Sequence, residues 1–123
     1  MPPLTEGKTP GDFLLFEEHD HYCRAEVTIA AGANLEPGTV LGKITASGKF
    51  TTHETGVSDG SQTAVAVLVT AAAAESADAV AVALVRGPCR VRRGGLMFGA
   101  SLDTVGERNA AVAALETVGI VAT

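Results

Sequence analysis

His19, His21 and Cys23 alternate along the chain, so an extended strand would turn all three to one side. Two imidazoles and a thiolate suit zinc, but a zinc site ordinarily closes with a fourth ligand. Solvated histidines and an incidental cysteine account for the pattern better, and no metal or other cofactor is expected. Nucleophilic catalysis would need Cys23 or Cys89 beside a histidine such as His53 and an orienting carboxylate. No local signature surrounds either cysteine, so these residues do not point to an enzyme. The run at 86–93, RGPCRVRR, carries Arg86, Arg90, Arg92 and Arg93 with no acid among them. Its sharp reading is a phosphate or RNA site. Against that stand a net charge of −5 and an aromatic content of 4%, which supply neither a positive field nor stacking platforms. The better reading is a strand with outward arginines that pair with carboxylates of their own chain or of a neighbour. Arg90, Arg92 and Arg93 are therefore candidates for an intersubunit contact, and no nucleic acid is expected as a partner.

A chain of 123 residues makes one domain. Its hydrophobic fraction of 46% rests on alanine and valine, with no tryptophan. Small side chains bury less area each, at about 25 cal/mol per Å², so moderate stability with partner contacts supplying the rest is expected. Two cysteines do not make a disulfide framework; reduced, partly buried thiols in a protein made in a cytoplasm are expected. No apolar run approaches the roughly 20 residues of a membrane span. The start, MPPLTEGKTPGD, lacks the basic and apolar regions of a signal peptide.

The elements that must position these residues are mostly strands. Residues 27–50 hold short apolar runs, at Val27-Thr28-Ile29, Val40-Leu41 and Ile44-Thr45, broken by Gly32-Ala33-Asn34, Pro37-Gly38, Gly42 and Ser47-Gly48. Punctuation this dense reverses the backbone every few residues and gives a compact β architecture. Residues 62–70 (QTAVAVLVT) and 79–86 (AVAVALVR) read as buried strands, too apolar for edges. Between them 71–78 (AAAAESAD) reads either as a helical turn, by alanine's propensity, or as an irregular connection. Asp59-Gly60 signals a turn. Thr104 and Glu107 fit a capping box, and Ala111, Val112, Leu115 and Val118 give a helix over 107–118 one apolar face. Gly119 stands where a left-handed cap belongs, and Ile120-Val121 can resume as a strand. No internal repeat is present.

Residues 1–26 differ from the rest. Glu6, Asp12, Glu17, Glu18, Asp20 and Glu26 outweigh Lys8 and Arg24, leaving −4, among Pro2, Pro3, Pro10, Gly7 and Gly11. This composition discourages a packed element at the very start. Yet Phe13-Leu14-Leu15-Phe16 is an apolar tetrad that either packs on the domain's own core or is meant for another chain.

The order of these features resembles the head decoration protein D family of lambda-like tailed bacteriophages. The resemblance is carried by Gly11-Asp12-Phe13-Leu14, Val27-Thr28-Ile29-Ala30-Ala31-Gly32, Leu35, Pro37-Gly38-Thr39-Val40-Leu41-Gly42-Lys43-Ile44-Thr45 and Gly48-Lys49-Phe50. Asp59-Gly60-Ser61-Gln62-Thr63-Ala64, Ala113-Ala114-Leu115 and Gly119-Ile120-Val121 complete it, so it covers nearly the whole chain in order. The alanine-rich 70–78 and the arginines at 90–93 depart from the pattern. The resemblance implies a mainly β fold with a minor α component (α+β), a β-clip or β-tulip-like domain with one C-terminal helix. It implies a flexible N-terminal arm at 1–20 and a single β-rich domain at 21–123. It implies no catalysis, but homotrimers on the outer surface of the expanded head, at local threefold axes, holding the shell against DNA pressure. The partner implied is the major capsid protein, met by the arm as an added strand, with Lys8, Asp12, Phe13, Leu14 and Leu15 carrying the contact. From a different class comes the alternative of a small β-barrel carrier or ligand-binding module. Such a carrier presents a lysine at a hairpin tip; Lys43 sits in an apolar run and Lys49 lacks the usual acidic or methionine neighbours.

Overall fold

The computed structural model describes residues 14–17 and 23–123. Ten strands and one α-helix are found there: β1 (Leu14–Glu17), β2 (Arg24–Ile29), β3 (Ala33–Leu35), β4 (Val40–Lys43), β5 (Phe50–Thr52), β6 (Ala64–Leu68), β7 (Ala72–Ala74), β8 (Ala79–Leu84), β9 (Cys89–Val91), α1 (Val105–Glu116) and β10 (Ile120–Ala122). A 3₁₀ turn at Arg93–Gly95 follows β9. The mainly β class with one C-terminal helix is as the sequence led us to expect.

Five strands close into a barrel in the order β2-β5-β4-β6-β8. Its longest seam joins β2 to β8 antiparallel, from Arg24 opposite Leu84 to Ile29 opposite Ala79. The unbroken apolar run of β6 has a clear cause: it borders two cores. Ala66 and Leu68 enter one, with Val27, Ile29, Leu41, Ala72, Ala74, Ala81 and Ala83. Val67 and the following Val69 enter the other, with Val40, Leu84, Val91, Leu96, Leu102, Leu115 and Ile120. Successive side chains of a strand point to opposite faces, so a strand covered on both sides must be apolar throughout. Alanine dominates the first core because the interior of a five-strand barrel is narrow. The second core is closed by α1 and by a three-stranded sheet, β1-β9-β10.

The segment 71–78 is not a helical turn; it is irregular at 71 and 75–78, as one of the two readings had it, but extended between. Residues 72–74 form β7, paired antiparallel with β3 from Ala33 opposite Ala74 to Leu35 opposite Ala72. Helix propensity counts for little in a segment too short to offset nucleation. Burying Ala72 and Ala74 on one face, with Ala73 outward, decides the matter. The expected break at Gly42 and apolar run at Ile44-Thr45 are both corrected: β4 continues through Gly42, paired with Thr51 and Ala64, and stops at Lys43, leaving Ile44-Thr45 outside a strand.

The helix begins at Val105, two residues before its first charged turn residue, because Thr104 caps it and accepts from the Glu107 N–H at 3.2 Å. The Glu107 carboxylate meets the Thr104 hydroxyl at 3.0 Å and that of Thr55 at 3.1 Å, which ties the helix start to the loop after β5. Ala111, Val112 and Leu115 are its buried face. Gly119 adopts φ +89° and turns the chain into β10, as its position after the helix predicts.

Candidate functional site

The three-stranded sheet holds Leu14, Leu15, Cys89 and Arg90 of the residues singled out in the sequence. Its middle strand, β9, runs antiparallel to β1, with Leu14 opposite Val91, Phe16 opposite Arg90 and Glu17 opposite Cys89. The pairing is irregular between Leu14 and Phe16, where Leu15 is the extra residue. The apolar tetrad is thereby split. Leu14 packs on the second core, whereas Leu15 stays 45% exposed. Glu17 at the end of β1 accepts from Arg24 at the start of β2, at 2.6 to 3.1 Å through both carboxylate oxygens. This forked pair clamps β1 to the barrel. Lys8, Asp12 and Phe13 lie outside the described residues, as do His19 and His21.

Cys89 and Val91 are buried, so Arg90 between them projects outward, as alternation requires. On the other side of β9 the parallel strand β10 sets Val121, 41% exposed, beside Arg90. Arg92 is exposed. Arg93, half-buried at the 3₁₀ turn, donates from Nη2 to Asn109 Oδ1. Among the described residues, no carboxylate lies within ion-pair distance of Arg90, Arg92 or Arg93. Arg90 thus faces outward from its strand as expected, and no acid among the described residues pairs with Arg90, Arg92 or Arg93.

A fourth arginine belongs with them that the sequence did not single out. Arg108 donates from Nε to the Leu102 carbonyl at 2.9 Å, and its guanidinium lies 5.9 Å from the Phe98 ring centroid. It and Arg93 border an open cleft of about 570 Å³ with Gly94, Leu96, Phe98, Val105 and Asn109. Arg108 sits in a helix and Arg93 in a turn, so no local spacing signals that they meet. Only the register of α1 against the segment after β9 brings them together.

The thiols are structural. Cys23 and Cys89 are free and buried in the second core. Cys23 Sγ points to the Pro88 carbonyl at 3.7 Å and Cys89 Sγ to that of Arg86 at 3.9 Å, both weak donations. Burial, with Cys23 and Glu17 nearby, pushes the Cys89 thiol up from 9.0 to about 11. A nucleophile needs the opposite shift. His53 is buried and its Nδ1 meets the Ser61 carbonyl at 2.9 Å, so it is engaged by backbone. Among the described residues no group of three or more His, Cys, Asp or Glu side chains could hold a metal.

Because the folded state holds the Cys89 proton more tightly than the unfolded chain, the contribution of this thiol to stability is fully present below about pH 9. It is lost as pH rises toward 11. Urea midpoints measured at pH 8 and pH 10.5 should therefore fall more in the wild type than in Cys89→Ala. Equal slopes in the two proteins would refute this.

Neither lysine is presented as a carrier would present it. Lys43 ends β4 with its ammonium 5.8 Å from the Phe50 ring centroid. Lys49 is ion-paired with Asp78, which also accepts from the Ala31 N–H at 2.9 Å; the lysine holds the Asp78 carboxyl below its ordinary range.

Compared with known proteins, the chain matches a family model described as bacteriophage lambda head decoration protein D, over residues 3–120. No curated protein matches it significantly.

Proposed function

This chain belongs to the bacteriophage lambda head decoration protein D family, and from that premise we propose that it binds the expanded head as trimers at local threefold axes and braces the shell against internal DNA pressure. It is a structural component of the phage head, not an enzyme, and its family implies binding to the capsid. The observation that carries the finer reading is the split of the apolar tetrad. Leu14 roots the opening segment in the second core, while Leu15 remains outward at the edge strand of a sheet. An edge strand offers unpaired backbone groups, so a segment rooted there can extend the pairing to a partner. Lys8, Asp12, Phe13 and Leu15 carry that contact, with the major capsid protein as the partner; Leu14, expected to share it, instead packs on the domain's own core. Many copies on a symmetric shell allow each contact to be modest, since ordering a segment on docking costs free energy.

Arg90 and Arg92, outward and without a carboxylate among the described residues, are offered to acids of a neighbouring copy within the trimer. The test is to mix the purified protein with expanded empty heads of its phage and measure co-sedimentation to saturation. Binding at three copies per local threefold position is expected. No binding at micromolar protein refutes the function. Arg90→Glu with Arg92→Glu should lower occupancy and its cooperativity; an unchanged isotherm removes these arginines from the contact.

A further inference from the structure

The cleft between Arg93 and Arg108 has an unusual balance for a protein with net charge −5. Both guanidiniums are held by neutral partners, Arg93 by the Asn109 amide oxygen and Arg108 by the Leu102 carbonyl and the Phe98 ring. Among the described residues neither has a carboxylate within ion-pair distance. Among the described residues they are positioned but not neutralised. Between them the lining is apolar, from Leu96, Phe98 and Val105, and Val105 is 69% exposed at the rim. Two oriented forks beside an apolar floor fit a carboxylate next to an apolar side chain, the chemistry of an acidic peptide segment. A phosphate would use the forks and leave the floor empty.

The location of the cleft bears on whose segment that is. Leu14, where the described part of β1 begins, stands opposite Val91. Arg93 follows two residues along, about 7 Å further by the rise of a strand. The opening segment therefore enters the fold at the same end as the cleft. Resting on the proposed function, we infer that the Arg93–Arg108 cleft is a second capsid contact, which takes an acidic, apolar-bearing segment of the major capsid protein beside the root of the arm. The arm contact is backbone pairing; this one is charge and shape, and it fixes how the domain is turned on the shell.

The experiment compares wild type, Arg93→Glu/Arg108→Glu and Val105→Asp for co-sedimentation with expanded empty heads at low and moderate salt. Melting and sedimentation velocity of the free proteins are measured beside it. Both variants should bind about tenfold or more weakly, and the double variant should lose most of the salt dependence seen in wild type. Val105→Asp removes no interaction of either arginine, so it decides the matter if the double variant fails to fold. Variants that fold and bind like wild type overturn the inference while leaving the function standing. Variants that change self-association without heads, and bind normally per assembled unit, overturn it too, because the cleft then lies between copies. Wild type that does not bind heads rejects the function itself, and this inference with it.

Discussion

Gly87→Ala should lower the unfolding free energy by about 3 kcal/mol, at the upper end of what overpacking costs. Gly87 sits between β8 and β9 with its N–H donated to the Val118 carbonyl at 2.8 Å. A Cβ there would lie 2.7 Å from the Gly119 Cα and closer still to the Gly119 carbonyl. These are backbone atoms, so no rotamer change relieves the clash. Gly119 cannot yield easily either, since it holds φ +89° and its carbonyl accepts from the Cys89 N–H at 3.2 Å. The strain falls on the join between the end of α1 and β9, the strand that carries both β1 and the arginines. In a chain of this size about 3 kcal/mol corresponds to a drop of roughly 10 °C in the melting midpoint. A midpoint within about 2 °C of wild type would mean that the close approach of these two glycines is not needed. Gly94→Ala, where a Cβ meets nothing within 4 Å, is the control in the same region.

Truncation should separate binding from folding, provided the cut is placed by the sheet. Removing residues 1–13 leaves β1 intact, so the melting midpoint should change little while saturable binding to expanded heads is lost. Removing residues 1–17 strips β1 from β9, uncovers the site of Leu14 and breaks the Glu17–Arg24 clamp. Burying one leucine contributes about 1.5 to 3 kcal/mol, so this second truncation should also lower stability by that order. If the shorter truncation binds as tightly as wild type, the opening segment is not the capsid contact. If the longer one melts like wild type, β1 contributes nothing to the domain.

What could be read beforehand follows from the range over which each determinant acts. The helix was legible because its cap, apolar face and stop residue lie within sixteen residues of Thr104. Strand β6 was legible because a strand buried on both faces has no polar positions to confuse it; β8 reads the same way but leaves Val80 63% exposed, so its apolar outer face overstated its burial. β7 was misread, since three alanines state no preference until β3 lies beside them. The position of Leu14 and Leu15 on opposite sides of a core boundary was not legible either. It depends on an irregularity in pairing with a strand far along the chain. For the same reason the sequence showed a run of arginines but not a cleft. Arg108 enters only through the packing of α1 next to the turn at Arg93–Gly95.

The β1-β9-β10 sheet also sets an order of events. Its middle strand lies late in the chain, one neighbour comes from residues 14–17, and the other, paired in parallel, comes from residues 120–122. Neither neighbour is reached by a tight hairpin, so distant parts of the chain must meet before these bonds can form. Non-local pairing of this kind slows folding to roughly milliseconds or seconds. The barrel is non-local too, since its longest seam sets Arg24 opposite Leu84, but it needs no strand beyond β8, whereas the three-stranded sheet is complete only with the last strand. On the proposed function, the root of the capsid contact forms only once β9, late in the chain, has been made, because β1 has no other strand to pair with among the described residues.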